Sequence, residues 1–135
     1  MKSQKHFESI LRSHDLRLTQ QTQAIFDVLY THKKPLSAGD IATELPDINL
    51  STIHRTLDRF TEVGITISIP CKNFTKYELG EDFIGHHHHF TCTECHTSYP
   101  IHDCYWETYK KSIEDNFGTI TSHTIEAYGI CKKCQ

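Results

Sequence analysis

LSTIHRTLDRFTEVGITISIPCKNFTKYEL, residues 50–79, changes its hydrophobic period halfway along. In the first part Ile53, Leu57 and Phe60 recur at helical spacing and form a stripe to be buried, while Thr52, Arg55 and Arg59 lie on the opposite face. Asn49 or Ser51 caps the start of this helix and Gly64 ends it. From Ile65 the pattern alternates, Ile65-Thr66-Ile67-Ser68-Ile69, as a strand does. Pro70 to Thr75 reads as a turn and Lys76-Tyr77-Glu78-Leu79 as the return strand. A helix with a basic outer face running directly into a β-hairpin predicts a winged helix, with that helix in the groove-reading position.

The flanks extend this plan. Upstream, a helix is predicted over about residues 4–14, and Thr19 caps a second whose inner face is Ile25, Val28 and Leu29. Pro35-Leu36 breaks the chain. Ser37-x-x-Asp40 is a capping-box pattern opening a short helix with Ile41, Ala42 and Leu45 inward, stopped by Pro46. Downstream, Glu81 to Gly85 reads as an acidic linker without periodicity. Strands are expected at 87–91 and 97–101, on either side of a turn at Cys92 and Cys95. Trp106, Tyr109, Ile113 and Phe117 share one face of a helix ended by Gly118, and the β-branched run Thr119 to Ile130 reads as one long strand. The predicted class is α+β: a winged-helix domain over 1–80, a hinge over 81–85, and a small α/β unit over 86–135.

That second unit carries dense metal-ligating chemistry. His86-His87-His88-His89 runs into Cys92-Thr93-Glu94-Cys95, and Cys131-Lys132-Lys133-Cys134 follows with 35 residues between the two pairs. Two Cys-x-x-Cys pairs offer four soft thiolates on tight turns, the donor set of a closed tetrahedral zinc site. Such a site has no open coordination position, so its expected role is to clamp the last strand onto the first turn. A redox-active pair is the alternative, but that chemistry calls for a cysteine at a helix N-terminus in a βαβ context.

Side chains on a strand alternate between faces, so His86 and His88 point one way and His87 and His89 the other. Two separate metal sites follow, each needing partners from elsewhere. Candidates are Glu78, Glu81, Asp82, His96, Glu107 and His123. Cys71 and Cys104 read as small packing residues. Cys71, on the turn of the wing, is also a thiolate candidate near the hinge. His32, His54 and His102 stand alone and read as surface or packing residues.

Bulk properties narrow the classes. The 135-residue chain has a net charge of −3, divided as +1 over residues 1–80 and −4 over 81–135. Nucleic-acid binding must therefore come from local clustering, and bound cations would offset the acidity of the second half. No secretory leader opens the sequence and no run reaches membrane-spanning length, so a reducing, cytoplasmic setting is expected, with no membrane partner. No His-Glu-x-x-His helix or deaminase-type signature is present, and the chain is not expected to be an enzyme.

Taken together, several segments resemble the ferric uptake regulator (Fur) family. They are Arg17-Leu18-Thr19, Leu36-Ser37-Ala38, Leu50 to Asp58, Glu62 to Ile65, His86 to Cys95, His123, and Tyr128 to Cys134, in the order and near the spacing of that family. The resemblance implies an N-terminal winged-helix domain, a C-terminal dimerisation domain, and a metal-dependent homodimeric repressor that binds a palindromic operator in double-stranded DNA. It implies structural zinc on Cys92, Cys95, Cys131 and Cys134. It further implies a sensory hinge site on Glu78, His87 and His89, and a second site on His86, His88, Glu107 and His123.

The DNA-facing residues would be Arg17, Ser51, Thr52, His54, Arg55 and Arg59. The sequence departs from the family in places: Pro35-Leu36 stands where iron and peroxide sensors carry a histidine, Pro100 where they carry an acidic residue, and His54 where a tyrosine is usual. The fourth hinge ligand is open among His96, Glu81, Asp82 and Cys71. Imidazole and carboxylate donors suit regulatory zinc or iron(II), with manganese(II) a third candidate. The competing readings are a metal-storage or delivery protein that never touches DNA, and a peroxide-sensing regulator of the same family.

Overall fold

The computed structural model of the chain describes residues 2–135 and divides it into two compact units, Met1–Gly85 and His86–Gln135. In the first, α1 (Lys2–Ser13), α2 (Gln20–His32), α3 (Ala38–Glu44) and α4 (Leu50–Glu62) accompany β1 (Leu36–Ser37), β2 (Thr66–Pro70) and β3 (Thr75–Leu79). Helix starts follow the local chemistry. Thr19 and Thr22 bond reciprocally to each other's backbone N–H, as do Ser37 and Asp40, so both α2 and α3 open on capping boxes. For α4 the cap is Asn49, whose side chain accepts from the Thr52 N–H at 3.0 Å. Gly64, at φ 82°, lets the Ile65 N–H reach back to the Phe60 carbonyl at 2.8 Å and close the helix.

The predicted stripe of Ile53, Leu57 and Phe60 is buried and joins Phe7, Phe26, Leu29 and Ile41 in one core. Phe7 stacks on Phe26 and meets Phe60 edge-on. The wing is an antiparallel sheet of order β1-β3-β2. Here the structure adds what periodicity did not give. Leu36, read as part of a break, and the cap residue Ser37 pair with Tyr77 and Lys76 as the third strand. On β2 the isoleucine alternation does not mark the core face: Ile67 is exposed, whereas Thr66 is buried with its hydroxyl 2.9 Å from that of Thr61.

Two further expectations are corrected. Glu81–Ile84, expected as a linker, forms a helical turn, α5, capped by Gly80. Phe83 on this turn enters the core edge-on to Phe26 and Ile84 packs against the same core, which anchors an otherwise acidic stretch. The long strand expected over 119–130 is confined to β6 (Glu126–Gly129), the only part of the run that finds a partner strand among the described residues.

The second unit contains β4 (His88–Cys92), β5 (Ser98–Ile101), α6 (Trp106–Asn116) and β6. Its sheet has the order β5-β4-β6, with β4 antiparallel to β5 and parallel to β6. Gly129 faces Phe90, where a Cβ would lie 3.1 Å from the ring, so a larger residue there would require the ring to shift by a few tenths of an ångström. No helix of the described residues is long and apolar enough to cross a membrane. The chain is thus α+β, a winged helix followed by a small α/β unit.

Candidate metal centres and nucleic-acid interface

Parallel pairing of β4 with β6 sets Cys92 opposite Gly129, which brings Cys131 beside Cys92 two residues later. The Cys131 N–H donates to Cys92 Sγ at 3.3 Å. Each cysteine pair sits on a tight knuckle. The His96 N–H returns to the Cys92 carbonyl at 3.0 Å, with His96 in a left-handed conformation (φ 59°), and the Cys134 N–H returns to Cys131 O at 2.9 Å.

All four sulfurs converge, with Sγ of Cys95 and Cys131 3.8 Å apart. A tetrahedron with metal–sulfur bonds of about 2.3 Å has edges of about 3.8 Å, so the cluster has the dimensions zinc requires. Its electrostatics agree. Backbone N–H donors, that of Cys131 first, hold Cys92 down at about 6, while the side chain of Cys131 pushes Cys134 up to about 12. Thr97 holds Cys95 below the ordinary thiol range. Tyr99, beside Cys131, is pushed up to about 12. Four neighbouring thiols cannot all ionise unaided, and a divalent cation removes that restriction.

The histidine run divides by face. His86 and His88 approach with Nε2 atoms 3.1 Å apart, and the ring of His123 lies 5.0 Å and 5.3 Å from theirs. His87 and His89 form the other pair, with ring centroids 4.9 Å apart and His102 within 6.1 Å of His87. The strand itself begins at His88, and its alternation is what separates the pairs.

His123 lies ahead of β6 rather than on it. Extending the Glu126↔His89 register back by three residues carries His123 to the level of His86. Glu107, implied as the fourth member of this group, is not in it. It sits exposed in the first turn of α6, and the group that converges is His86, His88, Cys104 and His123. The sequence reading treated Cys104 as packing. The signal that would have found it is its place three residues beyond Ile101, the residue that pairs with His88.

Glu78 lies on β3 in register with Ile67 and is buried. Two of the four open candidates for a fourth hinge ligand have local contacts: Asp82 approaches His6 at 3.5 Å, and His96 closes the first knuckle. His32 pairs with Glu44.

On the first unit, Arg17, Thr22, Thr52, Arg55 and Arg59 rim one shallow cleft floored by Leu11, Leu16 and Phe60. Arg55 donates to Thr52 at 3.3 Å and Arg59 to Glu62 at 2.9 Å. Ser51 bonds to the Asn49 cap at 2.8 Å, and His54 is exposed on the same helix.

Comparison with known proteins agrees with this architecture. The chain is 32% identical over 92% of its length to the ferric uptake regulation protein of Bacillus subtilis strain 168, covering 89% of that protein. It is 29% identical to the peroxide-responsive repressor PerR of Staphylococcus saprophyticus, over 93% of this chain and 86% of that one. The fold superposes on the Helicobacter pylori ferric uptake regulator, reported to have three functional metal binding sites, with a TM-score of 0.83 at 18% identity, covering 98% and 91% of the two chains. The sequence model of the ferric uptake regulator family matches residues 13–128, from the end of α1 into β6. With a match that spans both units and the curated likeness beside it, the chain belongs to the ferric uptake regulator family.

Proposed function

We propose that the chain is a homodimeric, metal-responsive repressor that binds a palindromic operator in double-stranded DNA when its sensory ion is in place. The observation that carries this reading is the cleft where Arg17 meets Thr52, Arg55 and Arg59 of α4, a basic rim on the helix that a winged helix would use to read the groove. Arg55 and Arg59 contact phosphate or guanine, Thr52, Ser51 and His54 face base edges or backbone, and Arg17 reaches the adjacent backbone.

The proposed structural ion is zinc on the four cysteines. The proposed sensory ion, zinc or iron(II), is held by Glu78, His87 and His89, and biases the reading heads toward the spacing of successive major grooves. Dimerisation is supported by the apolar side chains the second unit leaves exposed: Tyr105, Tyr109, Phe117, Tyr128 and Ile130. A two-fold dimer reads inverted half-sites by symmetry.

The test is operator affinity, on a palindromic duplex selected from random sequence, titrated in parallel with Zn(II), Fe(II) and Mn(II). His87→Ala with His89→Ala should abolish the metal stimulation while the protein remains a folded dimer. Equal affinity with and without metal in both proteins would refute the sensor and favour a storage or delivery role. Coupling is reciprocal, so operator DNA should also tighten metal binding by the same factor.

A further inference from the structure

We propose that Cys104 is a metal ligand, making the site at the head of β4 a centre of three imidazoles and one thiolate that selects a thiophilic, tetrahedral ion of the zinc class over iron(II) and manganese(II). Cys104 Sγ lies 3.1 Å from His88 Nε2 and 3.7 Å from His123 Nε2, and His86 Nε2 lies 3.1 Å from His88 Nε2. For zinc bonds of about 2.0 Å to nitrogen and 2.3 Å to sulfur, tetrahedral edges are about 3.3 Å for a nitrogen pair and about 3.5 Å for nitrogen to sulfur. The three spacings fall within half an ångström or so of those edges.

A simple cysteine–histidine hydrogen bond accounts for one of these contacts. It does not account for two more imidazoles converging on the same place. Four atoms with lone pairs gather there within 4.8 Å of one another, a set that a cation satisfies and a single shared proton does not.

The fold builds the set from register. Antiparallel pairing ends with His88 opposite Ile101, so the chain leaving β5 passes His88 and delivers Cys104 just before α6. The indole of Trp106, two residues on, stacks on the His123 ring at 4.0 Å between centroids and 7° between planes. That contact fixes the orientation of the imidazole, as the outer partners of metal-bound histidines commonly do. Thiolate and imidazole together favour zinc: manganese(II) prefers oxygen donors, and iron(II), which imidazole also suits, lies lower in the affinity order of divalent ions at nitrogen and sulfur sites. With four protein ligands the centre is closed, which suits retention of the ion and not turnover.

The inference rests on the reading of the chain as a metal-binding regulator, though not on operator binding. The test keeps zinc on the four-cysteine site and titrates cobalt(II) into the second unit of the full chain. The wild type should give a near-ultraviolet thiolate-to-cobalt charge-transfer band, intense tetrahedral visible bands, and quenching of Trp106, the sole tryptophan. Cys104→Ser should lose the charge-transfer band and weaken zinc binding by about tenfold or more, with manganese affinity little changed. Cys104→Asp should move the preference toward manganese, and Glu107→Gln should leave all signals as they were.

A charge-transfer band that survives Cys104→Ser, or a loss on Glu107→Gln equal to that on Cys104→Ser, would overturn the assignment. So would cobalt that leaves the tryptophan emission untouched. Retained zinc on the four cysteines reports folding throughout. Loss of metal-stimulated operator binding with the cobalt bands intact would sink the regulator and leave this centre standing.

Discussion

The interior of the first unit is hydrocarbon: Phe7, Phe26, Leu29, Ile41, Ile53, Leu57, Phe60 and their neighbours close over one another with almost no exposure. In the second unit the buried residues are His87, His88, Cys92, Ser98 and Cys131, and no aliphatic, phenylalanine, tyrosine or tryptophan side chain is among them. Six of its large apolar residues face outward, among them Phe117 at 85% exposure and Tyr128 at 65%, and the others are half-buried. Fifty residues arranged this way lack the buried carbon that folding normally requires. One unit is held by the hydrophobic effect. The other depends on metal ligation and on covering its apolar surface, which ties its folding to the metals the chain would sense.

The comparison breaks most directly at zinc. Stripping zinc with a strong chelator, or Cys92→Ser, should unfold the second unit and dissociate the proposed dimer. Structural zinc in small domains is worth about 10–16 kcal/mol in apparent terms, more than a unit of this kind can replace. Hydrogen exchange should lose protection over β4–β6 while α2 and α4 keep theirs. Protection retained in both units after zinc removal would show that the second unit has an interior of its own.

The reverse test is Phe60→Ala, which should cost about 3–5 kcal/mol and unfold the first unit with zinc content unchanged. Zinc released along with it would mean the two units are not independent in stability. Next in size, Arg55→Ala should weaken operator binding by about 1–3 kcal/mol without altering the melting of either unit. Asn49→Ala removes the cap of α4 and should destabilise the first unit alone by about 1 kcal/mol.

A pH titration sharpens the contrast further. Cys92 is held at about 6, below the ordinary thiol value, so in the metal-free unit its contribution is full above that ordinary value and is lost as pH falls through about 6. Cys134, pushed up to about 12, favours its neutral form and opposes folding only as pH rises above the ordinary thiol range. Zinc affinity should therefore fall with decreasing pH and steepen below about 6, where Cys92 adds a proton to those zinc must displace. Competition with a chromophoric chelator measures this. The first unit has no cysteine at its core and should show no matching step.

Much of this was legible before any fold was known. The caps at Thr19 and Ser37, the stop at Gly64 and the two cysteine knuckles are decided by hydrogen bonds within a few residues, and the stripe of Ile53, Leu57 and Phe60 by helical periodicity, so the sequence alone determined them; for α4 it left Asn49 and Ser51 as alternative caps, and the structure selects Asn49. Strand alternation likewise separated His86 and His88 from His87 and His89. Only the tertiary structure decided that Thr66 and not Ile67 turns inward, that Phe83 draws residues 81–84 into a helical turn, and that the run from Thr119 stays unpaired until Glu126. It also decided that Cys104, and not Glu107, joins His86, His88 and His123. These outcomes depend on which strand finds a partner and in what register, a property of residues far apart in the chain that no local pattern records.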